Sequence, residues 1–315
     1  MRTLGLSVLL VACAPAAPAP PSAPVPRSSA APVATTPGAA ATPTPAAPVT
    51  SAPSSGAATP SAKPCGELAC LEFPSAEGAF ERVLSEEPRV LAVGEAHAQK
   101  GSETVASTAK RFGEQLLPLV RGRASDIVIE LLLANGSCGK KTEERVAEKQ
   151  KPVTENQAAT NQNEFVELGT IAKKQGTMPH ALTPTCDEFA AISSAGDDVV
   201  DRMLTTVAAA STRNLEALLK QRPPSALLLA YGGALHNDLA PRPGRERWSF
   251  GPHFSEVTGG KYVELDLIVP EYVKDTETWR AFPWYSAYAH APASHGALLY
   301  TVAPHSFVLI FPRST

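Results

Sequence analysis

The sequence predicts an α/β protein, a mainly parallel sheet flanked by helices, with an antiparallel hairpin at its C-terminal end. Three observations lead there. Short continuous apolar runs recur along the chain, as strands buried on both faces of a parallel sheet require. Stretches with helical apolar spacing separate them, and the last two runs lie too close together for a crossover connection.

In chain order, Arg89-Val-Leu-Ala-Val93 is the first such run, closed by Gly94. Ser102 then offers an N-cap for a helix in which Val105, Ala109, Phe112 and Leu116 share a face before Pro118. Ile127-Val-Ile-Glu-Leu-Leu-Leu133 is a second buried strand, ended by the turn-forming Ala134-Asn-Gly136, and the three pieces make a parallel βαβ unit. Glu164 to Gln175 and Asp197 to Gln221 carry helical spacing, the second through Val200, Leu204, Val207, Leu215 and Leu218 until Pro223-Pro224 stops it. Ser225 to Tyr231, Tyr262 to Val269 and Leu298 to Val302 read as strands. Only Ala303, Pro304 and His305 precede a last strand, Ser306 to Phe311, which forces the hairpin.

Ahead of this domain, Arg2 and the apolar stretch Leu4–Ala12 read as a signal peptide over residues 1–12, too short to span a bilayer. Leu10-Val11-Ala12-Cys13 resembles the cleavage box of bacterial lipoproteins, which implies an exported chain held to a membrane through lipidated Cys13. From Cys13 to Pro64 the chain is Ala/Pro-rich, with Arg27 and Lys63 its only charges and no aromatic residue, so it reads as a disordered tether. Residues 65–315 then form a single globular domain. The formal charge of −3 and the lack of a basic block argue against nucleic acid as a partner. In an oxidising compartment Cys65 with Cys70, and Cys138 with Cys186, suit disulfides, although spacing alone does not fix the pairing. A zinc site on Cys65 and Cys70 lacks a second pair of ligands. Gly136, Gly139 and Lys140-Lys141 lack the order of a phosphate loop.

The chemistry gathers at two strand ends. Val93 runs into Gly94-Glu95-Ala96-His97, and Tyr231-Gly232 into Gly233-Ala234-Leu235-His236, each a Gly-x-x-His after a buried strand. Glycine lets the backbone turn tightly, and ligands of open parallel sheets bind beyond the carboxyl ends of the strands, so His97 and His236 are expected to face one cleft. Glu130 stands inside an apolar strand, where an ionised carboxylate needs a partner or a cation. Taken singly, each of these residues is better explained as a cap or a hydrogen-bonded core group than as a catalytic one. Their joint pattern is what suggests a site. His180, His253, His290, His295 and His305 fit no motif and receive no role. Trp279, Phe282, Trp284, Tyr285 and Tyr288 either pack an edge onto the core or line a groove.

The paired Gly-x-x-His motifs, strand Glu130, and Arg213-Asn214 in the helix before the second motif resemble the Tiki/TraB/ChaN/erythromycin-esterase superfamily. The match covers Val90 to Asp238 discontinuously. It implies a site of Glu95, His97, Glu130, Arg213, Asn214 and His236, with Glu95, His97 and His236 able to hold a divalent metal such as Mn²⁺, Co²⁺ or Zn²⁺. It also implies a hydrolase cleaving a peptide or ester bond, by metal-bound water or by His/Glu-activated water. The ChaN branch instead implies a lipoprotein that binds haem or another ligand without catalysis.

Overall fold

The computed structural model describes residues 62–133, 136–290 and 295–314; the predicted signal, Cys13 and nearly all of the tether lie outside them, as do Ala134 and Asn135 of the predicted turn. The chain begins with two short strands, β1 (Lys63–Pro64) and β2 (Leu71–Phe73), before helix α1 (Ala76–Leu84). Strand β3 (Val90–Glu95), helix α2 (Thr108–Arg111) and strand β4 (Ala124–Leu132) follow. Helices α3 (Lys140–Thr154) and α4 (Asn161–Lys174) lead to β5 (Met178–Leu182). Helices α5 (Cys186–Ser193) and α6 (Val199–Gln221) precede β6 (Leu227–Gly233), and α7 (Gly251–Val257) precedes β7 (Tyr262–Ile268). Two short helices, α8 (Glu277–Arg280) and α9 (Tyr285–Ala289), then lead to β8 (Ala297–Ala303) and β9 (Ser306–Ile310).

Nine strands form one sheet in the order β1-β2-β8-β9-β7-β3-β6-β4-β5. From β9 to β5 every pairing is parallel, while β1, β2 and β8 are added through antiparallel pairings, β8 and β9 as the predicted hairpin. The predicted βαβ unit keeps its parallel sense but not its adjacency, because β6 inserts between β3 and β4.

Side chains alternate across a strand, so each central strand serves two layers. Leu91, Val93, Ile127, Ile129, Leu229 and Tyr231 pack toward Phe80 of α1, Phe112 and Phe165 of α4. Val90, Ala92, Val128, Leu228 and Ala230 pack toward Phe189 of α5, Leu204, Val207 and Leu215 of α6, and Phe254 of α7. Burying about 25 cal/mol of free energy per Å² of apolar surface on both faces makes these strands the centre of the molecule.

Several details depart from the sequence reading. Ser102 caps no helix: its hydroxyl bonds the backbone of Gln99, and Ser107 caps α2 by accepting from Lys110 N at 3.1 Å. The helix then widens into a π turn (Phe112–Leu116) and tightens into a 3₁₀ turn (Leu117–Val120), where Pro118 cannot donate. Lys63–Pro64, read as the end of the tether, pairs with Leu71 and Glu72. Both suggested disulfides are present, Cys65–Cys70 and Cys138–Cys186, each with a Cα separation of 5.0 Å, so Cys65 and Cys70 are no part of a zinc site. Of the two readings of the aromatic segment, packing holds for its centre: Trp284 is buried against Ile268, Leu298, Tyr300 and Val308.

Candidate functional site

Glu95 continues the β3 row of Leu91 and Val93 and so emerges on the α4 side of the sheet. Tyr231, one strand over on the same face, donates its phenol O–H to Glu95 Oε2. The other oxygen, Oε1, lies 2.7 Å from His97 Nδ1, two residues further along the chain. With Nδ1–H donated to a carboxylate, the neutral tautomer leaves Nε2 as the free lone pair. Phe165 of α4 packs on the ring at 5.8 Å, and His97 is only 1% exposed.

Glu130 arrives from the opposite face, in the row of Val128 that meets α6. Its Oε2 accepts the backbone N–H of Gly233 at 2.5 Å, while His236 Nε2 stands 3.5 Å from Oε1, an ion-pair distance that leaves Oε1 without a hydrogen-bond donor. His236 Nδ1 donates to the Trp248 carbonyl at 2.7 Å. A Cβ placed on Gly233 would sit 3.2 Å from His97 Nε2 and 3.6 Å from Glu130 Oε2. The two halves of the cluster therefore meet across that glycine.

The glycines at these strand ends serve close approach rather than turning. Gly94 and Gly232 lie inside strands without positive φ, and a Cβ on Gly94 would lie 2.5 Å from Asp266 Oδ1 and 2.7 Å from Ala234 Cα. At Gly232 it would collide with the Glu130 carboxylate.

Arg213 and Asn214 are not brought to this cluster. The Arg213 guanidinium grips Glu188 of α5 through two bonds, at 2.7 and 2.8 Å, and Asn214 Nδ2 donates to Ala181 O. Helix geometry gives the reason: α6 turns Ser211 toward the sheet, and at 3.6 residues per turn a side chain two positions on points the other way. Ser211, not Arg213, lines the void of about 10 Å³ beside Glu130 and His236, together with Asn237 and Tyr231. That void is about the size of one water. Ser211, Tyr231 and Asn237 went unassigned in the sequence; the signals for them were the apolar face of α6, shared by Leu204, Val207 and Leu215, and the strand end itself.

No family model and no curated protein matches the chain. Among solved structures, the type III effector HopBA1 aligns with a TM-score of 0.37 and 10% identity, over 77% of this chain and 97% of that one.

Burial pushes the Glu95 carboxyl up against the pull of His97 and Tyr231. Burial also works against charge on His97, but the hydrogen bond and charge of Glu95, then the charge of Glu130, outweigh it and hold the imidazole above its ordinary value. Burial and Glu95 together raise the Tyr231 phenol far above the usual range, keeping it a donor. Glu130 is lowered, because His236, His97 and the Gly233 N–H overcome the effect of burial.

The donor set Glu95, His97 and His236 does not fit a divalent ion in this arrangement. Both Glu95 oxygens are taken by His97 and Tyr231, and among the described residues no three His, Cys, Asp or Glu side chains gather in a metal cradle. Glu95 is placed as the group that orients His97.

Proposed function

We propose that this chain is a hydrolase that cleaves an amide or ester bond with water activated by His97. The observation that carries the reading is the buried chain Tyr231–Glu95–His97, which fixes the tautomer and aims the free Nε2 at the strand-end glycine shared with Glu130. As water oxygen bonds to the substrate carbonyl carbon, its proton passes to His97 Nε2, and the imidazolium formed is stabilised by Glu95. The same proton then goes to the leaving nitrogen or oxygen as its bond to carbon breaks. His236, 3.5 Å from Glu130 in the same cluster, is the side chain we assign to the oxyanion. His97, His236, Glu95 and Glu130 are all under 5% exposed, so substrate reaches them only when the segments carrying Trp248 and Phe165 part. No observation favours the haem reading over this one.

The test is hydrolysis of a panel of amide and ester substrates. His97→Ala and His236→Ala are expected to lower kcat by about 10²–10⁴-fold with unchanged far-UV circular dichroism, and chelation by EDTA to leave kcat intact. Full activity in His97→Ala would sink the dyad; loss with EDTA and recovery with Mn²⁺, Co²⁺ or Zn²⁺ would replace it with a metal reading.

We further propose that the enzyme is a lipoprotein held to a bacterial membrane through Cys13. Among the described residues no helix is long and apolar enough to cross a membrane. Cys13→Ser is expected to move the protein from the membrane to the soluble fraction, and its retention in membranes would refute the anchor.

A further inference from the structure

At the opposite edge of the sheet, where the parallel strands begin, lies a concavity of about 720 Å³ lined by residues that include Arg89, Arg123, Lys261, Ser125, Ser225 and Glu87. Its volume falls within the range of about 300–1,000 Å³ typical of small-molecule sites. Three cations face one carboxylate there, and among the described residues none of the three is ion-paired. Arg89 is the unusual one. It is only 8% exposed, yet its guanidinium donates to backbone carbonyls alone, those of Ala226 and Arg222. Buried arginines are ordinarily paired with an acid. Asp126, whose charge reaches Arg89, makes its hydrogen bonds elsewhere: Arg222 holds it at 2.7 and 2.9 Å and His180 at 2.8 Å. The floor of the pocket therefore carries a guanidinium with no carboxylate hydrogen-bonded to it, and the exposed side chains of Arg123 and Lys261 add two further positive charges.

We propose that this pocket binds an anion, a phosphate-bearing group held by Arg123 and Lys261 above the buried Arg89. Guanidinium and ammonium groups together suit phosphate oxygens, the first through a planar fork and the second as a point charge. Two sources share that chemistry, a soluble phosphate ester and a phospholipid headgroup. Nothing in this inference depends on the hydrolase reading, since the two sites sit at opposite ends of the strands.

Inorganic pyrophosphate titrated calorimetrically into the full chain at ~0.15 M salt, where long-range attraction is screened, is expected to bind at a single saturable site. The double variant Arg123→Gln/Lys261→Gln, both exposed and outside the core, should weaken binding at least tenfold, whereas Glu87→Gln should tighten it. Sedimentation of the full-length Cys13→Ser form with phosphatidylglycerol vesicles, but not phosphatidylcholine vesicles, lost in the double variant, identifies a headgroup. Pyrophosphate binding without sedimentation identifies a soluble ester. Absence of both, or binding indifferent to the double variant, overturns the proposal.

Discussion

Tyr231 shows how a single hydroxyl tunes the candidate site. Its O–H is the second donor to Glu95, and a buried carboxylate that loses a donor becomes harder to ionise. A less charged Glu95 no longer raises His97 as far, because the hydrogen bond and charge of Glu95 are what hold that imidazole up. Tyr231→Phe is therefore expected to lower kcat about tenfold and to move the acid limb of the kcat/KM profile to lower pH, since a general base must be unprotonated to act. A variant that lost stability but kept its acid limb would reduce Tyr231 to packing against Phe112 and Phe165. At this scale the sequence was legible where motif and strand end coincide, at Glu95, His97, Glu130 and His236. It misled at Arg213, whose motif match ignores the direction in which α6 points it, toward Glu188. Tyr231 hid as one more apolar residue in a buried run, its role visible only once β6 lay beside β3 with Tyr231 opposite Val93, two residues before Glu95 on the same face.

At the scale of elements, the parallel strands were readable because burial on both faces demands unbroken apolar runs, whereas β5, with Pro179 and His180 in an edge strand, carries no such run. Helix α3 escaped for the converse reason: Lys140, Lys141, Glu143, Glu144 and Arg145 open it with scarcely an apolar face, and what secures its start is covalent. The Cys138–Cys186 bridge ties the segment before α3 to the first residue of α5 across 48 residues, while Cys65–Cys70 spans 5. Crosslinking a longer loop removes more freedom from the unfolded chain; the chain-entropy relation gives about 4 kcal/mol for the long bridge and about 2 for the short one. Cys138→Ser/Cys186→Ser is thus expected to lower the urea midpoint more than Cys65→Ser/Cys70→Ser, read by equilibrium unfolding of each. Equal midpoints would mean that the bridges act through native contacts and not through the unfolded ensemble.

Across the whole molecule, the buried acids set the dependence of stability on pH. Behind His236, burial pushes Asp238 up to about 6 and Glu264 up to about 7, with Asp238 adding to the rise of Glu264. Burial, then Glu264 and Asp238, carries Asp266 well above its ordinary value, although Asn237 donates to it at 3.1 Å. Groups of opposite sign near the three are Arg242, Arg245 and His236, and Glu264 also accepts Leu239 N–H at 2.8 Å. A carboxyl whose folded pKa is raised keeps a proton that the unfolded chain gives up, so stability falls as pH climbs from the unfolded value, 3.8 or 4.5, through the folded one. Glu95 adds to this fall, and so does His97, whose raised pKa gives stability present below its ordinary 6.5 and lost above it. Asp126, Glu130 and Glu188, held low, act in the other direction: their contribution is intact above the unfolded carboxylate range and is lost only on acidification. Between about pH 5 and pH 8 Asp238 and Glu264 pass through their folded values, about 6 and about 7, and the midpoint of thermal unfolding is expected to fall across that interval. Glu264→Gln, which fixes the neutral form and keeps an acceptor for Leu239, should flatten the fall. Scanning calorimetry at the two pH values decides it: a midpoint that is level or higher at about pH 8 would mean that these carboxyls are ionised in the folded protein, with water or a cation reaching them.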